Sequence, residues 1–521
     1  MITLHACYRS KGRWLEKCMG ESNSLKRYRK MIIRKKVSFL LTQSLPKSMF
    51  VCFALILVNT FSFSQFPDSA IVPASTKYIN SSPLRVVFVG KNYRREWSTP
   101  VAMPVFNLKK ERGGFTIKEL GGGQQTKSLR LLDKNGQEWV LRTTDKDVAG
   151  ALEATLKNKF LSGLVKDVIQ DMISASHPYG SLTVPDLAKA AGVIVARPKL
   201  FFVPDDPALG EYRTIFANTV CFLEDREPTT DQSETEDTED VMEKLLQRND
   251  HQLLQKKVLR ARLLDMLIAD WDRHEDQWKW GTQKKDATTY YYPVPKDRDF
   301  AYFKSNGLIV LFASMTVLPH MNSFTNDASA IKKLSNKTWE MDGQWLNQLD
   351  EQDWKDAIIE FQHNLTDSVI EQAARKIPRE VYAISGKKLA QKLKGRRNGL
   401  LEHAMEYYRF LSTNVYVIGT NKQELFKVSQ EGDNITVTTL TEKKDIVYKR
   451  SFSGTDTKKI FILGLAGNDH FEIDENVNSS IRVHLEGGDG DDVYSRKGKI
   501  KSTIEDEGNA DNPALVKSNK K

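Results

Sequence analysis

LLDMLIADWDRHEDQWKW, residues 263–280, and YYYPVPKDRDFAYF, residues 290–303, decide how the chain is read. Leu263, Leu264, Met266, Leu267 and Ile268 crowd more than one side of a helical repeat, which predicts a buried helix. That helix delivers a polar loop holding Asp270, Asp272, Arg273, His274 and Gln277. Further along, an apolar strand over residues 290–294 runs out into Asp297 and Asp299. An acid, a carboxamide five positions later and a strand-borne acid form the layout that phosphoryl transfer uses. In that layout Asp272 orients the acceptor hydroxyl and takes its proton. Gln277 and one of Asp297 or Asp299 hold Mg²⁺ or Mn²⁺ against the phosphates of ATP. His274 has no second His or Cys at ligand spacing, so it reads as a brace for the loop. Trp271, Trp278 and Trp280 read as packing around it.

A chain of 521 residues with 40% hydrophobic and 28% charged residues is globular material with room for several domains. Its net charge of +10 sits entirely in residues 1–49, which hold twelve Lys/Arg against two Asp/Glu. The remainder is formally neutral, so the basic pI gives no argument for a nucleic-acid partner. Arg34, Lys35, Lys36 and Lys47 precede the apolar run FVCFALILV at residues 50–58, and small residues follow. This is the pattern of a signal peptide, too short to span a bilayer, and residues 1–65 are expected to be a leader. Residues 1–30 lack that pattern, which fits a start at Met31 or Met49. Export to the periplasm or cell envelope follows, with no transmembrane span in the mature chain. Of four cysteines only Cys221 lies beyond the leader, so no internal disulfide is expected.

Residues 66–112 read as an arm packed on the next domain. Residues 113–228 read as a β-rich nucleotide-binding lobe, with strands at 128–132 and 138–143 joined at Asn135-Gly136. Gly121, Gly122 and Gly123 precede the first strand, where bare backbone N–H groups can approach phosphate. Arg142 stands where a neutralising cation would project, with Lys146 as the substitute. Asp171 or Glu153, on a helical pattern over 147–175, is the acid to pair with that cation. Further strands are expected at 193–196, 199–203 and 215–223. The last leads into residues 224–228, beginning at Glu224, a hinge where adenine could meet the backbone. The acidic run TTDQSETEDTED, residues 229–240, reads as a disordered linker. Residues 241–413 read as a helical catalytic lobe whose last helix carries Lys392, Lys394, Arg396 and Arg397, a solvated face or one for an anionic partner. The expected fold class is α+β: a bilobal, atypical kinase-like fold followed by a small β-rich module.

That module, residues 414–505, alternates strands (NVYVIGT, ELFKVSQ, NITVTTL, KIFILGL, IRVHLEG) with two turns, GLAGNDHF at 464–471 and GGDGDDVY at 487–494. The second turn fits a calcium-binding repeat and the first fits in part, through Asp469 and Asp492. The alternative is that both are Gly-Asp turns of a small β-solenoid. Residues 506–521 read as a disordered tail.

The segment LLDMLIADWDRHEDQW with its downstream Asp resembles the catalytic region of secretory-pathway, spore-coat and HipA-type atypical kinases. More of the chain resembles the kinase-like region of a Gram-negative envelope protein family. The phrases that carry this are REWSTPVAMPVFNL, GGGQQTKSLRL, ISASHPYGSLTVPDLA, RARLLDMLIADWDRHEDQW and PVPKDRDFAYF, between about residues 84 and 505. In that family the region often lies between a calcineurin-like metallophosphoesterase and an outer-membrane β-barrel. Neither pattern occurs here, so a shortened paralogue or a fragment is expected. Arg142 stands where active kinases of this kind carry Lys, and Gln277 where they carry Asn. The resemblance implies an exported phosphotransferase using a metal–nucleotide complex. The alternatives are a catalytically inactive pseudokinase that holds an envelope protein partner, and a metal-dependent phosphoesterase-associated protein.

Overall fold

In the helix Gln255–Ile268 every residue from Val258 onward except Arg260 is buried. A helix that is apolar nearly all round belongs in the middle of a core. In the computed structural model, which describes residues 67–79, 82–122, 126–146, 168–229, 233–316 and 318–505, this helix lies in the largest of three apolar cores. The leader, Gly123, Glu153, most of the helical pattern over 147–175, and the tail fall outside those residues. Among the described residues no helix is long and apolar enough to cross a membrane.

The arm belongs to two cores. Strands β1 (Ser69–Val72) and β2 (Val101–Pro104) pair antiparallel. Tyr78, Tyr93, Trp97, Val101 and Met103 enter the central core, whereas Phe106 and Leu108 enter the second. The second core lies against one face of a five-stranded antiparallel sheet. Its strands are β3 (Phe115–Gly121), β4 (Ser128–Asp133), β5 (Glu138–Thr143), β6 (Lys199–Val203) and β7 (Thr219–Asp225), in the order β3-β4-β5-β7-β6. Leu129, Leu131, Trp139, Leu141, Cys221 and Leu223 alternate toward this core, so Arg142, Phe222 and Glu224 face the other way. The β4–β5 turn needs Gly136 at φ 80°, and the Asp133 carboxylate accepts the N–H groups of Asn135 and Gln137. Two strand expectations change. Residues 193–196 form no strand, and part of 215–223 is the helix Arg213–Phe216 ahead of β7.

The acidic run is also structured where it is described. β8 (Glu236–Asp237) pairs with β10 (Trp278–Lys285), and the helix Thr238–Gln247 follows at once. The Thr238 hydroxyl donates to the carbonyls of Glu275 and Trp278, which explains why a polar stretch is held in place. β10 turns straight back into β11 (Thr288–Pro295), which also takes β9 (His251–Leu253) in parallel. The basic face on the last helix, Lys387–Ser412, is not simply solvated. Arg396 is buried and donates to the carbonyls of Met266 and Leu267 at the end of the central helix. Lys392 donates to the Phe324 carbonyl, Arg397 to that of Leu365, and Lys394 pairs with Asp367 and Glu371.

The third core is the C-terminal module. β12 (Asn414–Ile418), β16 (Lys459–Ala466), β18 (Asn478–Asp489) and β20 (Lys499–Glu505) form an all-parallel sheet. β13 (Glu424–Glu431), β17 (His470–Ile473) and β19 (Val493–Arg496) run parallel in a second sheet, extended by the antiparallel strands β14 (Asn434–Thr441) and β15 (Ile446–Ser453). Register stacks Phe426, Phe471 and Tyr494 with centroids 4.9 and 5.0 Å apart. Two residues back, Asp469 Oδ1 accepts the Glu424 N–H and Asp492 Oδ1 accepts the Asp469 N–H, each at 2.8 Å. The two acids cap backbone N–H groups of neighbouring turns. Burial foremost, then Glu424 and Asp492, pushes the Asp469 carboxyl up to about 8.

Two charges lie inside the central core by design of the helix. Arg262 donates to Asp342 at 2.7 Å and to Thr338 at 2.7 Å, pairs with Asp265 at 2.7 Å, and Asp342 also accepts from Tyr407. Removing the arginine alone strands buried carboxylates. Arg262→Ala should therefore cost about 3–5 kcal/mol in chemical denaturation; a loss below about 1 kcal/mol would mean that the network contributes little.

Candidate active site

Three segments meet on the open side of the five-stranded sheet: the end of β5, the loop leaving the central helix, and the end of β11. The helix stops because Ala269 takes a left-handed conformation, φ 52°, with its N–H bonded back to Asp265 and Met266. Such a turn costs an alanine about 1 kcal/mol, and it throws Asp270 to Gln277 out of the helical path. Arg273 then locks that loop to β11. Its fully buried Nη1 donates to the carbonyls of Lys296 (2.7 Å) and Asp297 (2.8 Å) and to Gln277 Oε1 (2.9 Å). Asp297 itself sits at φ 55°, which swings its side chain back toward the sheet.

The cations come from β5. Arg142 Nη2 meets Glu224 Oε1 at 2.5 Å, while Nη1 lies 3.3 Å from Asp297 and 3.7 Å from Asp299. Burial opposes the Arg142 charge, but Glu224, Asp297 and Asp299 outweigh it and hold the guanidinium firmly protonated. Lys146 Nζ is 3.4 Å from Asp299 and 4.1 Å from the centre of the Phe300 ring. Both sequence candidates for the cation therefore reach the site together. Of the two acids, Asp297 is kept ionised, its burial overcome by Arg142 and Lys146. Asp299 is pushed up by burial and by Asp297 beside it. Asp272 lies within electrostatic reach of Lys146 and accepts a 2.7 Å bond from Lys337.

A shallow hollow, open to solvent, adjoins these groups. Arg142, Glu224, Asp297 and Asp299 line its polar side, and Val184, Val195, Pro198 and Phe222 its apolar side. An apolar wall with a few convergent charges is the common form of a small-molecule site. Gly121 ends β3, and Gly122 follows at φ 103°, where a Cβ would strike the Thr126 carbonyl.

Two assignments change. Asp171 does not pair with the β5 cations. Arg94 grips it with two 2.6 Å bonds and Arg85 adds a third at 2.7 Å, so the acid ties the arm down. Burial would raise its pKa, yet the two arginines hold it below the usual range. Glu224 is the acid that meets Arg142 instead. Gln277 offers its oxygen to Arg273, so the atom assigned to a metal is engaged in bracing the loop. Among the described residues, Asp272, Asp297 and Asp299 do not close into a three-carboxylate cage.

Sequence reasoning missed Lys337 as part of the site, and it left Arg273, Asp270 and Lys296 without roles. Asp270 and Lys296 were in the quoted stretches, adjoining named acids. Lys337 had no local signal, because it arrives from a separate helical segment. Burial foremost pushes Lys296 down to about 8.

No protein-family model matches the chain, and no curated protein does. Three solved structures similar to it are kinases. One is the Helicobacter pylori proinflammatory kinase CtkA, at 12% identity over 56% of this chain and 96% of that one, TM-score 0.32. Another is the Chaetomium thermophilum Rio2 kinase complex with ADP/Mg²⁺ and phosphoaspartate, at 12% identity, 61% and 82% coverage, TM-score 0.25. A third is the golgi casein kinase, at 11% identity, 71% and 94% coverage, TM-score 0.27. Scores of that size carry no weight by themselves, and the functional reading rests on the site's own geometry.

Burial, followed by repulsion from Asp272, Asp297 and Asp299, lifts Asp270 to about 7 despite Arg273. The folded state thus binds this proton more tightly than the unfolded chain. The associated stability is full below the unfolded pKa near 4 and is lost as pH rises through about 7. Asp270→Asn cannot ionise, so between about pH 5 and about pH 8 it should lose roughly 3 kcal/mol less stability than the natural chain. Parallel slopes for the two proteins would contradict this.

Proposed function

We propose that the chain is an exported, atypical kinase-like phosphotransferase of bilobal build that carries a solenoid-like β module. The observation that carries this reading is the meeting of Arg142 and Lys146 with Asp297 and Asp299, beside Asp272 and an open hollow. Two cations facing two carboxylates is the charge arrangement that a metal–nucleotide complex divides between its phosphates and its ion. The donor set fits a hard ion. Asp297 and Asp299 are neighbouring, partly buried carboxylates with opposed protonation tendencies, a pair of hard oxygen donors of the kind that Mg²⁺ or Mn²⁺ takes. Such an ion, bound there, supplies neutralisation of phosphate charge.

The protein's own residues supply the rest. Arg142 can take two phosphate oxygens at once through its planar fork, and Lys146 one. Asp272 accepts the proton of an acceptor hydroxyl as its oxygen attacks the terminal phosphorus. The new oxygen–phosphorus bond forms as the bond to the leaving nucleoside diphosphate breaks. The apolar wall around Phe222 and Val184 suits a flat base. For export, the support is the charged, then apolar leader. For the solenoid-like module, it is the repeated parallel register of β12–β16–β18–β20 and β13–β17–β19.

A second reading is a pseudokinase that keeps the fold to hold an envelope partner. The observations in its favour are the Gln277 oxygen bound by Arg273 and the Asp272 carboxylate bound by Lys337.

Melting of the full chain with ATP and Mn²⁺ separates the two. A phosphotransferase should melt higher with nucleotide, and Lys146→Ala and Asp299→Ala should each abolish the shift. Asp272→Ala should retain the shift while lowering ADP release about 10²–10⁴-fold. No shift with any nucleotide would leave the scaffold reading standing.

A further inference from the structure

Far along the chain, β18 and β20 lie parallel with His484 opposite Thr503 and Glu486 opposite Glu505. Period-two alternation places residues 484 and 486 on one face, so the register sets two carboxylates side by side next to an imidazole. Like charges directly across a strand pair destabilise it unless something lies between them. His484 Nε2 is 3.7 Å from Glu486 Oε2 and 3.5 Å from Glu505 Oε2, and the three ligand atoms lie within 4.8 Å of one another. An N–H···O hydrogen bond would be shorter, at about 2.7–3.2 Å. Ligands held about 2.0–2.1 Å from a tetrahedral zinc ion sit roughly 3.3–3.4 Å apart, close to the spacing found here.

The imidazole is oriented as a metal ligand would be. Its Nδ1 lies 2.8 Å from the Thr503 hydroxyl, which leaves Nε2 facing the carboxylates. The ring packs edge-on against Phe461, centroids 5.6 Å apart. His484 is only 14% exposed, whereas Glu486 and Glu505 are 43% and 57% exposed, so the set is anchored on its nitrogen and open on its oxygen side. Among the described residues the other compact His/Glu set, Glu402, His403 and Glu406, differs. His403 Nδ1 and Glu406 lie 3.2 Å apart, at hydrogen-bond distance along one exposed helix.

We propose that His484, Glu486 and Glu505 form a binding site for a borderline divalent ion, Zn²⁺ in preference to Mg²⁺ or Ca²⁺, with the fourth position open to water. One nitrogen and two carboxylate oxygens suit zinc's tetrahedral set, whereas Ca²⁺ takes six to eight oxygens and Mg²⁺ an octahedron. Bound there, the ion pins β20 to β18. The site is independent of the phosphotransferase reading.

Titration of the full chain with Zn²⁺ alone, followed by calorimetry and by melting, tests it. The natural chain should bind saturably and melt higher, and Co²⁺ in its place should give the visible absorption of a tetrahedral complex. His484→Ala and Glu505→Gln should each abolish that binding, and Thr503→Val should weaken it about 10–100-fold by freeing the ring. Asp272→Ala should leave it unchanged. Absence of saturable binding by the natural chain, or its survival in either ligand variant, overturns the proposal.

Discussion

The Arg273 guanidinium is the contact on which the candidate site depends. A buried cation must find acceptors for its donors, and Nη1 takes two main-chain carbonyls from the end of β11 together with the Gln277 amide oxygen of its own loop. Main-chain carbonyls cannot rotate away as side chains can, so the loop and the strand end are fixed relative to each other. Asp272 stands on one side of that junction, Asp297 and Asp299 on the other. Any chemistry the three perform together inherits its geometry from Arg273.

The junction in turn rests on the end of the central helix. Ala269 breaks the helix, and the carbonyls it leaves behind are taken by Arg396 from a helix more than a hundred residues later. Arg262 and Asp265 of the same helix add a buried ionic lattice with Asp342 of the later helix Trp339–Trp345. Such pairs contribute little net stability over apolar replacements, but breaking one member is expensive, and they admit few alternative arrangements. The result is a stiff platform under a loop rich in charge.

The C-terminal module solves the same problem without arginines. Asp469 and Asp492 each accept the N–H of the turn beside them, and Phe426, Phe471 and Tyr494 stack in register with them. Asp469 and Asp492 thus tie each turn to the backbone of its neighbour. The glycines just ahead, Gly464 and Gly487, leave room that a Cβ would occupy against those same carboxylates.

Much was legible in the sequence because it is local. Apolar residues round a helical repeat gave the central helix, alternation and Asn135-Gly136 gave the β4–β5 hairpin, and the spacing of Asp272, Asp297 and Asp299 named the acids of the site. Strand β10 and the helix Leu308–Thr316 escaped notice, since the first is partly polar and exposed and the second carries apolar residues on its solvent side as well. What tertiary structure alone decided was which charge meets which. Asp171 and Glu224 are equivalent in composition, yet the arm's Arg94 claims the first and strand pairing brings the second to Arg142. Lys337 and Arg396 reach their partners across 65 and 129 residues. Periodicity records which face of an element is buried; the partner of a buried charge is set by packing between elements, which no local pattern encodes.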